Sequence, residues 1–131
     1  MNSLKISFDF DGCLADNKFV QIIAKLFRDA GHDVWIITSR DPQMENRDVW
    51  SLASEFNIPN ERVVMTNGTL KVHKFLELKM DIHFDNSFDE ILAINDHFEN
   101  QNLTKTCLDK PGIFVNFDSE ELGLAFNSIM K

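Results

Sequence analysis

The chain has 131 residues, of which 44% are hydrophobic and 26% are charged, a composition typical of a globular domain and not of a disordered or fibrous chain. Thirteen Lys and Arg against 21 Asp and Glu give a formal net charge of −8, which disfavours non-specific binding to nucleic-acid phosphates. No apolar segment has the length of a membrane span or the form of a signal peptide, so we expect a cytoplasmic protein without membrane partners. The length predicts one domain over residues 1–131.

Strands and helices are predicted to alternate along the sequence. Apolar runs predict strands over 4–10, 33–38, 61–66, 81–85, near 105–108, and over 113–117. Apolar residues at helical spacing, with capping residues beside them, predict helices over 17–30, from Asp41-Pro42 to about Phe56, over 70–79, from a Ser87–Glu90 capping box towards Phe98, and from about Asp118. This alternation is typical of a mostly parallel sheet covered on both faces. The predicted fold is therefore a Rossmann-like three-layer α/β sandwich.

Polar side chains follow four of the predicted strands at the point where each strand ends. In chain order they are Asp9 and Asp11, then Thr38, Ser39 and Arg40, then Lys71 after a Thr66-Asn67-Gly68 turn, then Asp85 and Asn86. Each alone has an ordinary explanation as a turn residue, a helix cap or a solvated side chain. Because the carboxyl ends of parallel strands meet at one edge of the sheet, we expect these groups to converge.

Converging carboxylates repel one another unless a cation lies between them. Carboxylate oxygens without a His or Cys cluster indicate Mg²⁺, which accepts one or two carboxylates and keeps room for water and a phosphate. An ammonium and a hydroxyl at the same edge suit the remaining phosphate oxygens. One aspartate could attack phosphorus while the other transfers protons, so the pattern favours phosphoryl transfer.

The spaced aspartates admit three other interpretations. An EF-hand loop is excluded, because counting from Asp9 puts Leu14 where its glycine belongs and Val20 where its glutamate belongs. A receiver-type phosphoacceptor domain is disfavoured, because its aspartate ends the third strand, where this chain has Met65-Thr66-Asn67. A metal-binding or partner-binding module that has lost turnover stays open as the alternative to an enzyme.

Four segments, in order, resemble the motifs of the haloacid dehalogenase superfamily of phosphatases. "ISFDFDGCLAD" resembles the first, an apolar strand followed by DxDG, and "VWIITSR" is similar to the second at Thr38. "GTLKVHKFL" resembles the third at Lys71, with Lys74 as the alternative lysine. "IHFDNSFDE" resembles the fourth at Asp85 and Asp89, although Asn86 departs from its double-aspartate version. The second aspartate of the first motif distinguishes phosphatases from members that cleave carbon–halogen bonds.

The resemblance implies a role for each matching residue. Asp9 would be the nucleophile that forms an aspartyl-phosphate, and Asp11 the general acid and base. Mg²⁺ would be held by Asp9, Asp85 and the backbone carbonyl of Asp11, while Thr38 and Lys71 would hold the phosphoryl group. Ser39, Arg40, Asn86 and Asp89 are further candidates for supporting roles, and Arg40 would either help to hold an anionic substrate or lie solvated at the surface.

The superfamily inserts cap domains at two places that are short in this chain. Only the predicted helix 17–30 lies between Asp11 and the second strand, and only 67–70 separate Thr66 from Lys71. We therefore expect an uncapped site. By analogy, such a site takes either a macromolecular substrate, such as a nucleic-acid end or a phosphoprotein, or a small phosphorylated molecule enclosed by a second copy in a homo-oligomer.

Overall fold

The computed structural model describes residues 3–100 and 113–115. Within them, the strands are β1 (Lys5–Phe8), β2 (Asp33–Thr38), β3 (Val63–Met65), β4 (Ile82–Phe84) and β5 (Ile113–Val115). The helices are α1 (Lys18–Asp29), α2 (Arg47–Glu55), α3 (Val72–Glu77) and α4 (Phe88–Asn100). An irregular turn over Phe10–Leu14 follows β1, and a short 3₁₀ turn over Asn60–Arg62 precedes β3.

The strands form one sheet in the order β3-β2-β1-β4-β5, and each pairing between them is parallel. Phe8 of β1 lies opposite Ile36 of β2 on one side and opposite Phe84 of β4 on the other. The chain winds outwards from β1 through β2 to β3 and then returns to the far side of β1 as β4. This order confirms the predicted α/β fold with a parallel Rossmann-like sheet, and the reversal at β1 and β4 is where such sheets bind ligands.

Alternate strand residues point to opposite faces of the sheet, and each face carries its own apolar core. On one face Phe8 and Ile36 belong to a buried cluster that includes Val20 of α1 and Val49 of α2. On the other, Ile37 clusters with residues of α3 and α4, among them Phe75 and Ile94. Strands buried on both faces need apolar residues at nearly every position, which explains the continuous apolar runs in the sequence.

Helix α1 begins where the sequence predicts. The Asn17 side chain accepts hydrogen bonds from the backbone N–H groups of Phe19 (3.0 Å) and Val20 (3.1 Å), satisfying two donors that the first helical turn leaves free. After its last residues the chain turns at Gly31, whose φ of 90° favours glycine.

Helix α2 begins later than predicted, at Arg47, so the Asp41-Pro42 start is wrong. The Asp41 carboxylate accepts instead from the N–H of Gln43 (2.8 Å), and its carbonyl accepts from the N–H of Met44 (3.1 Å). These bonds close a turn and not a helix. The buried Asn46 amide donates to the carbonyls of Asp41 and Met44, which fixes the loop ahead of α2.

The predicted strand near 105–108 and the helix from about Asp118 lie outside the described residues, whereas the predicted strand over 113–117 is present as β5 over 113–115. Cys13 is a buried free thiol. Within the described part of the chain, no helix combines the length and apolar character needed to cross a bilayer.

Candidate active site

Strands β1 and β4 place Asp9 and Asp85 side by side at the carboxyl edge of the sheet. The N–H of Asp9 donates to the carbonyl of Phe84 (2.9 Å), which extends the strand pairing to the aspartates. Both carboxylates are buried and both accept from the Lys71 ammonium, at 2.6 Å from Asp9 Oδ1 and 2.7 Å from Asp85 Oδ2. Three predicted site residues from distant parts of the sequence therefore meet at one point.

Glu90 is a member of this cluster that the sequence analysis missed. Its Oε1 accepts from the backbone N–H of Lys71 (3.0 Å), and its Oε2 lies 3.8 Å from the Lys71 ammonium. The N–H of Ser87 donates to Asp85 Oδ1 (2.9 Å). The Glu90 half of the predicted capping box is therefore wrong, because Glu90 accepts from Lys71, and the Ser87 N–H that it was expected to bind donates to Asp85. The helix that the box predicted is present as α4.

The buried cluster carries more negative than positive charge. Three carboxylates, of Asp9, Asp85 and Glu90, surround one ammonium, of Lys71, which gives a net charge of −2 when all four are ionised. Burial raises the pKa of Asp9 to about 6, because the attraction of Lys71 does not overcome desolvation and the repulsion of Asp85. The ionised form of Asp9 is therefore disfavoured relative to that of an exposed aspartate.

In Asp85 and Lys71, by contrast, the neighbouring groups favour the ionised form. Burial alone would raise the pKa of Asp85, but the hydrogen bonds and charges of His83 and Lys71 outweigh it and hold the pKa below its usual range. Burial would lower the pKa of Lys71, but Asp9 and Asp85 outweigh it and raise that pKa. Asp85 and Lys71 are therefore both charged near neutral pH.

His83 is a second residue that the sequence analysis missed. Its Nε2 lies 2.8 Å from Asp85 Oδ2. The sequence carries one signal for His83, a polar residue in the middle of the apolar run "DIHFD". A histidine at such a position is more often a core side chain than a functional one.

Asp11 lies outside the buried cluster, and Arg40 holds its carboxylate. The Asp11 side chain is 58% exposed and receives two hydrogen bonds from Arg40, at 2.7 Å from Nη2 and 2.9 Å from Nε. Arg40 also donates to both oxygens of Asp48, at 2.6 and 2.8 Å, and lies over the ring of Phe10. The hydrogen bonds that Arg40 donates to Asp11 and Asp48 raise the pKa of the guanidinium, and the same bonds lower the pKa of Asp48.

Thr38 and Ser39 lie at the same edge of the sheet, after β2. Thr38 is buried, and its hydroxyl oxygen is 3.4 Å from the N–H of Arg40. Its carbonyl accepts from the N–H of Thr66 (2.8 Å), while the carbonyl of the exposed Ser39 accepts from the N–H of Gly68 (2.8 Å). These bonds join the loops that follow β2 and β3.

Asn86 and Asp89 are both exposed. Asn86 packs on Gly12, where a Cβ would collide with the Asn86 side-chain amide. Gly12 also has a φ of 71°, so two independent constraints favour glycine in the turn after the paired aspartates. Asp89 lies in the first turn of α4, where a carboxylate complements the helix dipole.

An open cleft of about 820 Å³ lies beside the Arg40–Asp48 pair. Met44, Asn46 and Ser51 line it together with charged residues of both signs. Among the predicted site residues, Arg40 lines this cleft, whereas Asp9, Asp11, Lys71 and Asp85 do not.

Comparison of the chain with protein-family models, with curated proteins and with solved structures found no match. The fold and site thus define an α/β protein with a parallel sheet and a buried acidic cluster at its topological switch point.

The donor set of this cluster fits Mg²⁺. Within residues 3–100 and 113–115, no group of three or more His, Cys, Asp and Glu side chains is placed to hold a metal. Mg²⁺, however, is commonly bound through one or two carboxylates, with water and phosphate oxygens completing its octahedron. Asp9 and Asp85 supply two hard oxygen donors, and the net charge of −2 is what a divalent cation would neutralise.

Proposed function

We propose that the chain is a Mg²⁺-dependent phosphomonoester hydrolase of the haloacid dehalogenase type that forms an aspartyl-phosphate on Asp9. One observation carries the proposal: Asp9 and Asp85 meet at the Lys71 ammonium in a buried cluster with excess negative charge. A purely structural ion pair needs one carboxylate for each ammonium. A surplus of buried carboxylate is costly unless a further cation offsets it.

Mg²⁺, when bound, would be held by Asp9, Asp85 and the backbone carbonyl of Asp11, and would offset the charge of these carboxylates and of the incoming phosphate. The Asp9 carboxylate oxygen attacks phosphorus, forming an O–P bond while the bond to the ester oxygen breaks. Lys71 and Thr38 hold the oxygens of the transferring phosphoryl group. Water then attacks the aspartyl-phosphate, releasing inorganic phosphate and restoring Asp9.

Asp11 transfers the proton in both half-reactions. As an acid it donates to the leaving ester oxygen, and as a base it accepts from the attacking water. Arg40 donates two hydrogen bonds to the Asp11 carboxylate. The ionised carboxylate is the form of Asp11 that accepts a proton from water. Protonated Asp11 has one acceptor oxygen fewer for this fork, so the pair loosens for the acid step.

The substrate is a phosphate monoester bound at the carboxyl edge of the sheet. Residues 66–71 join β3 to α3 directly, and α1 follows the turn after Asp11, so both positions at which a cap would be inserted are short. These short connections support an uncapped site. The net charge of −8 favours small phosphorylated molecules or phosphoproteins over long nucleic acids.

The test is hydrolysis of p-nitrophenyl phosphate with and without Mg²⁺ by the wild type, Asp9→Asn and Asp29→Asn. We expect Mg²⁺-dependent activity that falls by at least about 1,000-fold in Asp9→Asn, because the amide cannot act as the nucleophile. Asp29→Asn is the matched control, since Asp29 is exposed at the end of α1 and pairs with Arg28. Trapping of a phosphoryl group on Asp9, located by mass spectrometry, would identify the intermediate.

Two outcomes contradict the proposal. Activity that survives in Asp9→Asn would remove Asp9 as nucleophile. Mg²⁺ binding without hydrolysis of any phosphate ester, across a panel of phosphorylated metabolites and phosphopeptides, would favour the metal-binding or partner-binding module instead.

A further inference from the structure

A chain of buried hydrogen bonds runs from the middle of the sheet to Asp85. Ser7 of β1 lies opposite His83 of β4, and the Ser7 hydroxyl oxygen is 2.8 Å from His83 Nδ1. His83 Nε2 is in turn 2.8 Å from Asp85 Oδ2. All three residues have 0% exposure, and the ring of Phe75 meets that of His83 edge-on at 6.4 Å between centroids. The sheet core therefore holds three polar side chains in fixed positions.

The direction of the hydrogen bond between His83 and Asp85 follows from the charge of the carboxylate. An ionised Asp85 only accepts, so Nε2 of His83 carries a hydrogen and donates it. At the other ring nitrogen, Nδ1, His83 shares a hydrogen bond with the Ser7 hydroxyl, which can donate or accept there. The other acceptor near that hydroxyl, the carbonyl of Ile82, is farther away at 3.3 Å. Ser7 thus helps to hold the ring in the position from which His83 Nε2 donates to Asp85.

A Ser–His–Asp sequence of contacts also occurs in enzymes with a nucleophilic serine. That role does not fit here, because Ser7 lies within β1 with no exposed surface and no substrate can reach its hydroxyl. An inert core role does not fit well either, because apolar residues would fill the same space without burying three polar groups. We therefore look for the effect of these contacts at Asp85, where the chain of hydrogen bonds ends.

We propose that Ser7 and His83 are positioning residues that hold Asp85 ready to bind a divalent cation. Asp85 Oδ2 accepts from His83 and Lys71, while Oδ1 accepts from the N–H of Ser87. Three donors on one carboxylate fix its rotation before a cation arrives. The inference rests on the proposed function, in which Asp85 is a ligand of Mg²⁺. Residues that hydrogen-bond to a metal ligand, without touching the metal themselves, orient that ligand.

The test measures Mg²⁺ affinity by titration calorimetry for the wild type, His83→Gln and His83→Leu. Gln keeps an N–H donor close to the position of Nε2, whereas Leu has a similar size and no donor. We expect His83→Leu to weaken Mg²⁺ binding by about 10- to 100-fold and His83→Gln to stay within about threefold of the wild type. Circular dichroism and thermal melts without metal establish that each variant is folded. Rescue by Gln separates positioning of Asp85 from simple filling of the core.

A folded His83→Leu protein that binds Mg²⁺ as tightly as the wild type would overturn the inference, as would a His83→Gln protein as weak as His83→Leu. If His83→Leu does not fold, Ser7→Ala decides: a loss of several-fold supports the inference, and an affinity within twofold of the wild type overturns it. These results leave the proposed function intact. A wild-type protein that binds no Mg²⁺ would remove the proposed function, and this inference with it.

Discussion

Arg40 binds two carboxylates with one guanidinium, and its hydrogen-bonding capacity is largely used within the protein. Asp11 takes Nε and Nη2, Asp48 takes both terminal nitrogens, and Asn46 Oδ1 lies 3.5 Å from Nη1. The sequence suggested that Arg40 would help to hold an anionic substrate. An anion at this point would have to displace one of the two carboxylates, so we assign Arg40 to the orientation of Asp11.

Replacing Arg40 by Lys tests this assignment. A single ammonium cannot reproduce a planar fork that contacts two carboxylates at once, so Asp11 loses its fixed orientation while its carboxylate stays. We expect kcat for p-nitrophenyl phosphate to fall by about tenfold with little change in KM. Arg62→Lys is the control, because Arg62 pairs with Asp33 at the opposite edge of the sheet. Equal kcat in Arg40→Lys and the wild type would show that Asp11 needs no such clamp.

Individual residues also show what a linear pattern cannot reveal. Asp9, Lys71 and Asp85 could be predicted because each follows a strand and the parallel sheet brings strand ends together. Glu90 and His83 could not, because their contacts depend on how α4 lies against α3 and on which face of β4 points towards the core. Such facts arise from tertiary packing and have no fixed spacing in the sequence.

At the scale of elements, the loops are where sequence and structure differ. The interiors of β2 and α1 lie within the predicted ranges because their apolar periodicity extends over several residues. The start of α2 does not, because Asp before Pro is compatible with both a helix cap and a turn. Local sequence leaves this choice open, and here the Asn46 side chain favours the turn by binding the carbonyls inside it.

Two alanine substitutions distinguish a true helix cap from the apparent one. Asn17→Ala removes the acceptor for two N–H groups at the start of α1, so we expect it to lower the free energy of unfolding by about 1 kcal/mol. Asp41→Ala affects only an exposed turn, and we expect a change within about 0.5 kcal/mol. Urea unfolding at pH 7 measures both. A loss in Asp41→Ala as large as that in Asn17→Ala would indicate that Asp41 supports α2 after all.

At the scale of the whole molecule, the strand order decides where charge accumulates. Because the winding reverses between β1 and β4, the carboxylates that follow these two strands are neighbours, and the helices α3 and α4 bring Lys71 and Glu90 to the same point. The alternation of strands and helices predicts the sheet and its functional edge. It does not predict the surplus of buried negative charge, which depends on the side chains that four separate elements deliver.

That surplus makes the metal-free protein sensitive to pH through Asp9. The pKa of Asp9 in the folded protein, about 6, exceeds its ordinary value of 3.8, so the folded state binds this proton more tightly than the unfolded state does. Stability due to Asp9 therefore falls as the pH rises from about 4 to 6 and stays low above 6. Asp85, with its lowered pKa, contributes stability above its ordinary pKa and loses it only in stronger acid, outside this window.

Asp9→Asn removes this dependence, since the amide does not ionise. In EDTA, we expect the free energy of unfolding of the wild type to fall by about 2 kcal/mol more than that of Asp9→Asn between pH 4.5 and pH 7. Urea unfolding at the two pH values measures the difference, in which histidines and other carboxylates cancel. Asp29→Asn should keep the wild-type dependence, because Asp29 is exposed. If Asp9→Asn and the wild type instead lose stability in parallel, the pKa of Asp9 is not raised in the folded protein. In that case, we expect a divalent cation to stabilise the fold no more strongly at pH 7 than at pH 4.5.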